Sequence, residues 1–408
     1  MRKQFFFGLL FVLLLVTVKT PTTSTAAPKI LKIGLVQGLQ SSTGIDSVKT
    51  IKLEVNKDNK NGGLSIGGEK YQIQLVEYDA GATQDTLTTA VNKLVYQDNV
   101  KYIITGGGTG MPAIPAITEP NKVLVFLPTQ MTPTWSPNWK YCFDGAATAV
   151  PQAVVIGWIC KNYPDQAKNI LLAYSDDAMG NLILKIVRGV FAGFGVTPNA
   201  VSFPATASDL SSLGTKVATM NPGAFCAIAA DPTKWGLAYN AARDAGYKGL
   251  YFSGSIQSVP LLSNVLNKSA LEGFLSGAYA TEFTPPLNQT AADFMNDWIA
   301  QHGKWTSPSL YAIPNYYCLK TAFQQAGSIE VDKVAAVLSN GMKYDTPCGP
   351  AQMISRPDIG VSRTVNSIYT VYMKVIKNGQ AFLVATVAPD EGVSYFQANI
   401  KPPQSQSK

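Results

Sequence analysis

The sequence predicts an α/β protein made of two doubly wound, Rossmann-like lobes. Three observations point there. Short β-branched runs alternate with helix-period segments, the pattern starts afresh near residue 150, and about 380 residues remain after the N-terminal leader. That length exceeds one ordinary hydrophobic core and divides naturally into two. Strands alternating with helices long enough to cross over favour right-handed βαβ units and hence parallel sheets.

The leader sets the compartment. Arg2 and Lys3 precede an apolar run over 5–18, and small residues follow up to Ala26-Ala27. A charged start, a short apolar core and a small-residue exit specify a secretory signal peptide over 1–27. The run falls short of the roughly 20 apolar residues that span a bilayer. No cysteine lies near the cut, so a free periplasmic protein is expected rather than a lipid-anchored one.

In the first lobe the runs 31–36, 71–78, 102–105 and 123–127 read as strands, and 47–60, 83–97 and 112–120 as helices. The second opens with a helix at 150–162. Strands at 169–174, 200–203, 224–230 and 250–252 follow, with helices at 181–194, 210–220 and 234–245 between them. Asn162-Tyr163-Pro164 and Asn221-Pro222-Gly223 are stops, because the residue before a proline leaves helical space. Helical segments at 291–302, 315–326 and 331–338 come next. They precede a strand pair, 367–377 and 380–387, turning at Asn378-Gly379, a strong hairpin signal. The last residues, 401–408, read as a disordered tail.

Composition excludes several functions. Formal charge is +7, of which Arg2, Lys3 and Lys19 belong to the leader, and the remaining lysines are scattered. No basic stripe with interleaved aromatics is present, so nucleic acid is not an expected partner. Only 14% of residues are charged, well under the usual quarter, which fits large buried sheets. His302 is the single histidine, which removes most zinc sites and the usual Ser/His or Cys/His pairings. The five cysteines show no metal spacing and no C-x-x-C, although one disulfide among Cys142, Cys318 and Cys348 stays open. Neither a nucleophile elbow nor a dinucleotide fingerprint occurs. The expectation is a binding protein, not an enzyme, with no cofactor and no metal.

In open parallel sheets, ligands sit outside the carboxyl ends of the strands. Here those ends lead into 37–44, 106–110 and 128–132 in the first lobe, and into 175–180, 230–233 and 254–258 in the second. Two such faces opposed make a cleft suited to a small molecule.

Several motifs along these loops resemble the leucine/isoleucine/valine-binding family of periplasmic proteins. Ile33-Gly34 with Ser42-Thr43-Gly44 resembles its opening strand and turn. Glu54-Val55-Asn56 and Asn61-Gly62-Gly63 look like its E-x-N-x-x-G-G. Tyr78-Asp79, the segment 174–180 (YSDDAMG), 241–246 (AARDAG), Leu271-Glu272-Gly273 and 323–327 (FQQAG) follow in the family's order. Each motif is weak alone; their order covers nearly the whole mature chain.

The resemblance implies a type I periplasmic-binding fold with a three-strand hinge, crossing near 144–148, 278–282 and 341–345. Residues 28–145 plus 281–342 would form lobe I, and 146–280 plus 343–400 lobe II. It also implies a monomer that delivers a small molecule to ABC permease subunits in the inner membrane, or a sensor subunit of the same fold. A branched-chain or other hydrophobic amino acid is the ligand implied first. An aromatic or aliphatic carboxylate, or an amide, is the alternative.

Carried over residue by residue, the ligand's carboxylate falls on Gly108, Thr109 and Gly110 and on Thr129, Gln130 and Met131. The glycine turn before Pro112 suits this, since amides at a helix start favour an anion; a tight turn without ligand is the plainer reading. In the second lobe Met179 replaces the family's cleft tyrosine and offers a soft contact. Asp177, beside Asp176, either faces the ligand or caps the next helix, and Asp231 either holds a ligand ammonium or caps before Pro232. Ser255 and Gln257 stand where the family often has an acidic partner for the amine. The first helix is about ten residues shorter than the family pattern between Gly44 and Asn56, which opens the pocket. Trp135 and Trp139 either line it or pack near the hinge.

Overall fold

A computed structural model describes residues 29–81, 83–106, 113–127, 135–145, 149–229, 231–357 and 360–398. The signal peptide and the tail lie outside these residues. So do Gly108, Thr109, Gly110, Thr129, Gln130 and Met131.

The first lobe runs β1 (Lys29–Gln37), α1 (Ser42–Lys60), β2 (Leu64–Ile66), β3 (Glu69–Asp79), α2 (Gln84–Tyr96), β4 (Tyr102–Thr105), α3 (Ile114–Thr118), β5 (Leu124–Phe126) and β6 (Cys142–Phe143). Its sheet has the order β2-β3-β1-β4-β5-β6, parallel except for edge strand β2. Central strand β1 is covered on both faces, as parallel strands are. Gly34 on it lets α2 approach, since a Cβ there would stand 2.7 Å from Leu94 Cδ1. Helix α1 begins five residues before the periodic stretch. The Ser41 side chain accepts from the Gly44 amide at 3.1 Å, and a Cβ at Gly44 would meet the Gly38 carbonyl at 2.0 Å. Ser42-Thr43-Gly44 is therefore the helix's first turn, folded tightly onto the end of β1.

The second lobe runs α4 (Ala149–Asn162), α5 (Pro164–Ala167), β7 (Ile170–Ser175), α6 (Ala178–Gly193), β8 (Asn199–Phe203), α7 (Ser211–Met220), β9 (Ala224–Ile228), α8 (Pro232–Asp244), β10 (Leu250–Ile256), α9 (Val259–Val265), α10 (Lys268–Leu271) and β11 (Leu275–Ala278). Helices α11 (Gln289–His302), α12 (Ile313–Ala326) and α13 (Val331–Ser339) then return to the first lobe. There Phe294, Trp298, Phe323 and Leu338 share a core with Ile33, Tyr102 and Phe126.

The chain closes with β12 (Lys343–Tyr344), β13 (Ala351–Arg356), β14 (Val361–Tyr369), β15 (Val371–Lys377), β16 (Gln380–Val387) and α14 (Pro389–Ala398). The second sheet is ordered β16-β15-β11-β10-β9-β7-β8, and β12-β13-β14 form a small sheet of their own. The strand expected over 367–377 is thus two strands. Thr370 donates through its backbone N–H and its hydroxyl to the Pro350 carbonyl, at 2.8 and 3.1 Å, and there the chain switches sheets. The hairpin between β15 and β16 forms as read, with Asn378 and Gly379 at φ of 50° and 73°, both positive as a type I′ turn requires.

Three crossings join the lobes: after β6, after β11 and after α13. Strand β14 runs beside the first, where Asp144 N–H donates to Val365 O at 2.8 Å and Ser367 N–H to Asp144 O at 2.9 Å. The Tyr344 and Tyr369 hydroxyls both donate to the Gly145 carbonyl. Ala280 N–H donates to Cys348 O at 3.1 Å and ties the second crossing to the third. Residues 343–369, expected with the second lobe, pack on both: Val361 and Val365 lie with Trp135 and Val125, while Ile354 and Ile368 lie in the second-lobe core. All five cysteines are free thiols, so the disulfide left open by the sequence does not form. Cys142 faces the Glu119 carboxylate at 3.4 Å and Cys318 the Met353 sulfur at 3.7 Å.

Candidate functional site

The site is built from the carboxyl ends of the second sheet. Strand β10 extends beyond the expected 250–252 because Ser253, Gly254 and Ser255 continue in extended backbone to Ile256. Strand alternation then sets Ser253, Ser255 and Gln257 on one side. Gln257 Nε2 donates to Ser255 Oγ at 2.8 Å, and that hydroxyl lies 3.1 Å from Ser253 Oγ. This polar strip faces a pocket of about 110 Å³ whose other walls include Ile183, Val187, Ile228 and Trp235, with Gln152 from α4. Cys226 also lines it; burial pushes its thiol up to about 11, so it stays neutral. One apolar wall opposite a few placed hydrogen-bonding groups is the chemistry of a small-molecule site.

A buried ion pair holds that strip in place. Lys374 on β15, fully buried, sits 3.5 Å from Glu282 Oε2 and donates to the Gln257 carbonyl. The same Glu282 oxygen accepts from Val259 N–H at 3.0 Å. Burial lowers the Lys374 ammonium's pKa, against the opposing pull of Glu282. The end of β10 is thereby fixed to β15 and to the second crossing.

Of the second-lobe candidates, the structure brings Ser255 and Gln257 into the pocket. Asp177, Met179 and Asp231 stand at the same end of the sheet, outside its lining. Asp177 caps α6, its carboxylate accepting from Gly180 N–H at 2.7 Å. That amide first, and the Ser175 hydroxyl next, hold its carboxyl below the usual range. Asp231 caps α8 through Thr233 N–H at 2.9 Å. Met179 is 41% exposed on the first turn of α6. Trp135 and Trp139 pack edge to face at 5.6 Å in the first-lobe core.

Sequence reading set Gln37 at the start of a strand-end loop without singling it out as a site residue. It ends β1, is buried, and its Nε2 has no hydrogen-bond partner among the described residues. Its Oε1 lies against Gly106, where a Cβ would approach to 2.4 Å. A buried amide donor beside the glycine turn is a group a ligand's oxygen would satisfy. A polar residue closing an otherwise apolar strand was the available signal. Trp235 and Gln152 gave none, because each lies on a helix that reads as packing.

Among the described residues, no group of three or more His, Cys, Asp or Glu could hold a metal ion, and no helix is long and apolar enough to cross a membrane.

Known structures share this architecture. A leucine-binding protein from Thermotoga maritima is 19% identical with a TM-score of 0.65, covering 88% of this chain and 99% of its own. A solute-binding protein of an ABC transporter from Rhodopseudomonas palustris, solved with 3,4-dihydroxybenzoic acid, is 20% identical with a TM-score of 0.65, covering 92% and 99%. A branched-chain amino acid ABC transporter periplasmic ligand-binding protein from Burkholderia xenovorans is 16% identical with a TM-score of 0.70, covering 89% and 96%. At these identities the likeness concerns the fold. The family model described as periplasmic binding protein matches residues 29–379, and the chain therefore belongs to the periplasmic binding protein family.

Proposed function

We propose that this protein is the extracytoplasmic solute-binding component of an ABC importer. It captures a small carboxylate-bearing molecule between its lobes and presents it to permease subunits in the inner membrane. The observation that carries this reading is the pocket at the carboxyl ends of β9 and β10, with Ser253, Ser255 and Gln257 opposite Ile183, Val187 and Trp235. Family membership and the titles of the similar ABC-transporter proteins support it. In this reading the glycine turn, with Gly108, Thr109 and Gly110, and the segment Thr129, Gln130 and Met131 take the carboxylate from the first lobe. Ser255, Gln257 and Met179 take the ligand's other end, and the acids Asp177 and Asp231 flank it.

The first ligand class is a branched-chain or other hydrophobic amino acid. A second, an amine-free aromatic or aliphatic carboxylate or an amide, is favoured by one observation: no carboxylate lines the described pocket, and both Asp177 and Asp231 hold helix amides. The similar proteins include both a leucine binder and a dihydroxybenzoate complex.

Native mass spectrometry of the protein purified from its own cell envelope would identify the ligand, and calorimetry would rank the residues. Ser255→Ala should weaken binding roughly fivefold, the worth of about 1 kcal/mol for one neutral hydrogen bond. Asp231→Asn should weaken amino acids and spare amine-free acids if it meets an ammonium. No saturable binding of any amino acid or carboxylate, with no copurifying molecule, would contradict the reading.

A further inference from the structure

The motif Ala241-Ala242-Arg243-Asp244-Ala245-Gly246 plays no part in the cleft. It lies at the opposite end of the second sheet, where β10 begins, and there it borders an open cavity of about 420 Å³ walled by Arg243, Lys248, Gly249 and Tyr251. The two ends of the seven-residue strand β10 are roughly 20 Å apart, so this cavity is separate from the cleft pocket.

Two residues that line it carry buried donors with no hydrogen-bond partner among the described residues. Tyr251 is 1% exposed, and its hydroxyl has no hydrogen-bond partner among the described residues. The neighbouring Tyr247 is the contrast: its hydroxyl donates to the Pro222 carbonyl at 2.9 Å. The Arg243 guanidinium lies on the Tyr251 ring, 3.9 Å from its centroid, and is fixed by one bond from Nη1 to the Tyr247 carbonyl at 2.9 Å. Its Nε is buried and likewise lacks a partner among the described residues. Lys248 stands exposed on the same wall. The nearest acid, Asp244, is exposed and accepts from Asn267 Nδ2 at 3.1 and 3.4 Å, and Asp165 pairs with Lys168 at 2.8 Å.

Native proteins rarely leave buried donors unpaired, and a preset guanidinium edge matches the oxygens of a carboxylate or phosphate. We propose that this cavity is a second binding site, for a small oxyanion, in which Arg243 Nε and Tyr251 Oη donate to one ligand oxyanion and Lys248 supplies further positive charge. Burial keeps the Tyr251 phenol protonated by raising its pKa, so it stays a donor across the physiological range. The site does not depend on what the cleft binds.

The test is an NMR titration of the mature protein with inorganic phosphate and, separately, with acetate, following the Gly249, Leu250 and Gly273 amides. Either anion should give saturable shifts, and the tighter one assigns a tetrahedral or a planar group to the site. Tyr251→Phe, which removes only the hydroxyl, should weaken binding about tenfold or more, as losing a hydrogen bond to a charged group does. Arg243→Gln should abolish it, and Ser255→Ala in the cleft should leave it unchanged. Absence of saturable shifts at tens of millimolar of both anions would overturn the proposal. So would equal affinity in the wild type and Tyr251→Phe, since the hydroxyl would then not touch the anion.

Discussion

A lysine sealed inside a protein must replace the water it loses, and Lys374 does so with Glu282 and the Gln257 carbonyl. Removing one partner of such a pair leaves the other charge buried. Glu282→Gln should therefore destabilise the fold by about 3 kcal/mol, with Lys374→Met/Glu282→Gln recovering part of the loss; urea unfolding of the three proteins checks this. Asp177 gives a pH signature instead. Its folded-state pKa is depressed, so its contribution is complete above the unfolded value near 3.9 and is lost as pH falls through the folded one. Asparagine caps almost as well. Asp177→Asn should leave the melting temperature at pH 7 nearly unchanged and flatten its fall below pH 4. At this scale the sequence was legible where chemistry is local. Asp177 and Asp231 stand just before helices, and the capping role was one of their two readings. Lys374 was opaque, because only the tertiary fold shows that the middle of β15 is buried, whereas Gln37 carried a signal, a polar residue closing an apolar strand, that was not used.

Elements were legible where a period ran long enough. Strands β1, β3, β4 and β5 and helices α2, α7, α8 and α11 fall within a few residues of their expected spans. Two- and three-residue strands such as β2, β6 and β12 carry no period, and β13 (AQMISR) shows no alternation. Strand β10 was cut short because Ser253-Gly254-Ser255 looks like a loop, which is why the polar strip of the pocket was only half seen. Close packing between elements makes its own prediction at α7 and α8. Gly214→Ala would gain about 1 kcal/mol of helix propensity, yet its Cβ would stand 2.2 Å from the Ala241 carbonyl oxygen. Backbone cannot yield as a side chain can, so the clash wins. The variant should be less stable by roughly 1–3 kcal/mol, the usual cost of overpacking, read as a lower urea midpoint.

For the whole molecule, the two-lobe architecture was plain in the sequence because the alternating pattern restarts after the first sheet. The three crossings lie near the positions the resemblance implied; the small sheet that seals them was not read, since β12, β13 and β14 belong to neither repeat and the pairing of β14 with residue 144 is long-range. In the proposed function the two lobes close about that junction. Three crossings, bound together by Asp144, Gly145 and the Cys348 carbonyl, join the two lobes. A ligand touching both faces stabilises the closed arrangement by its differential affinity for it. At about 100 times its dissociation constant it should also stabilise the fold by about 2.7 kcal/mol. Small-angle X-ray scattering of the mature protein, with and without its identified ligand at saturation, tests the central claim most directly. The account predicts a smaller radius of gyration in the bound state and no such change for the same ligand with a variant that no longer binds it. An unchanged radius at saturation in the wild type would contradict capture by closure of the two lobes.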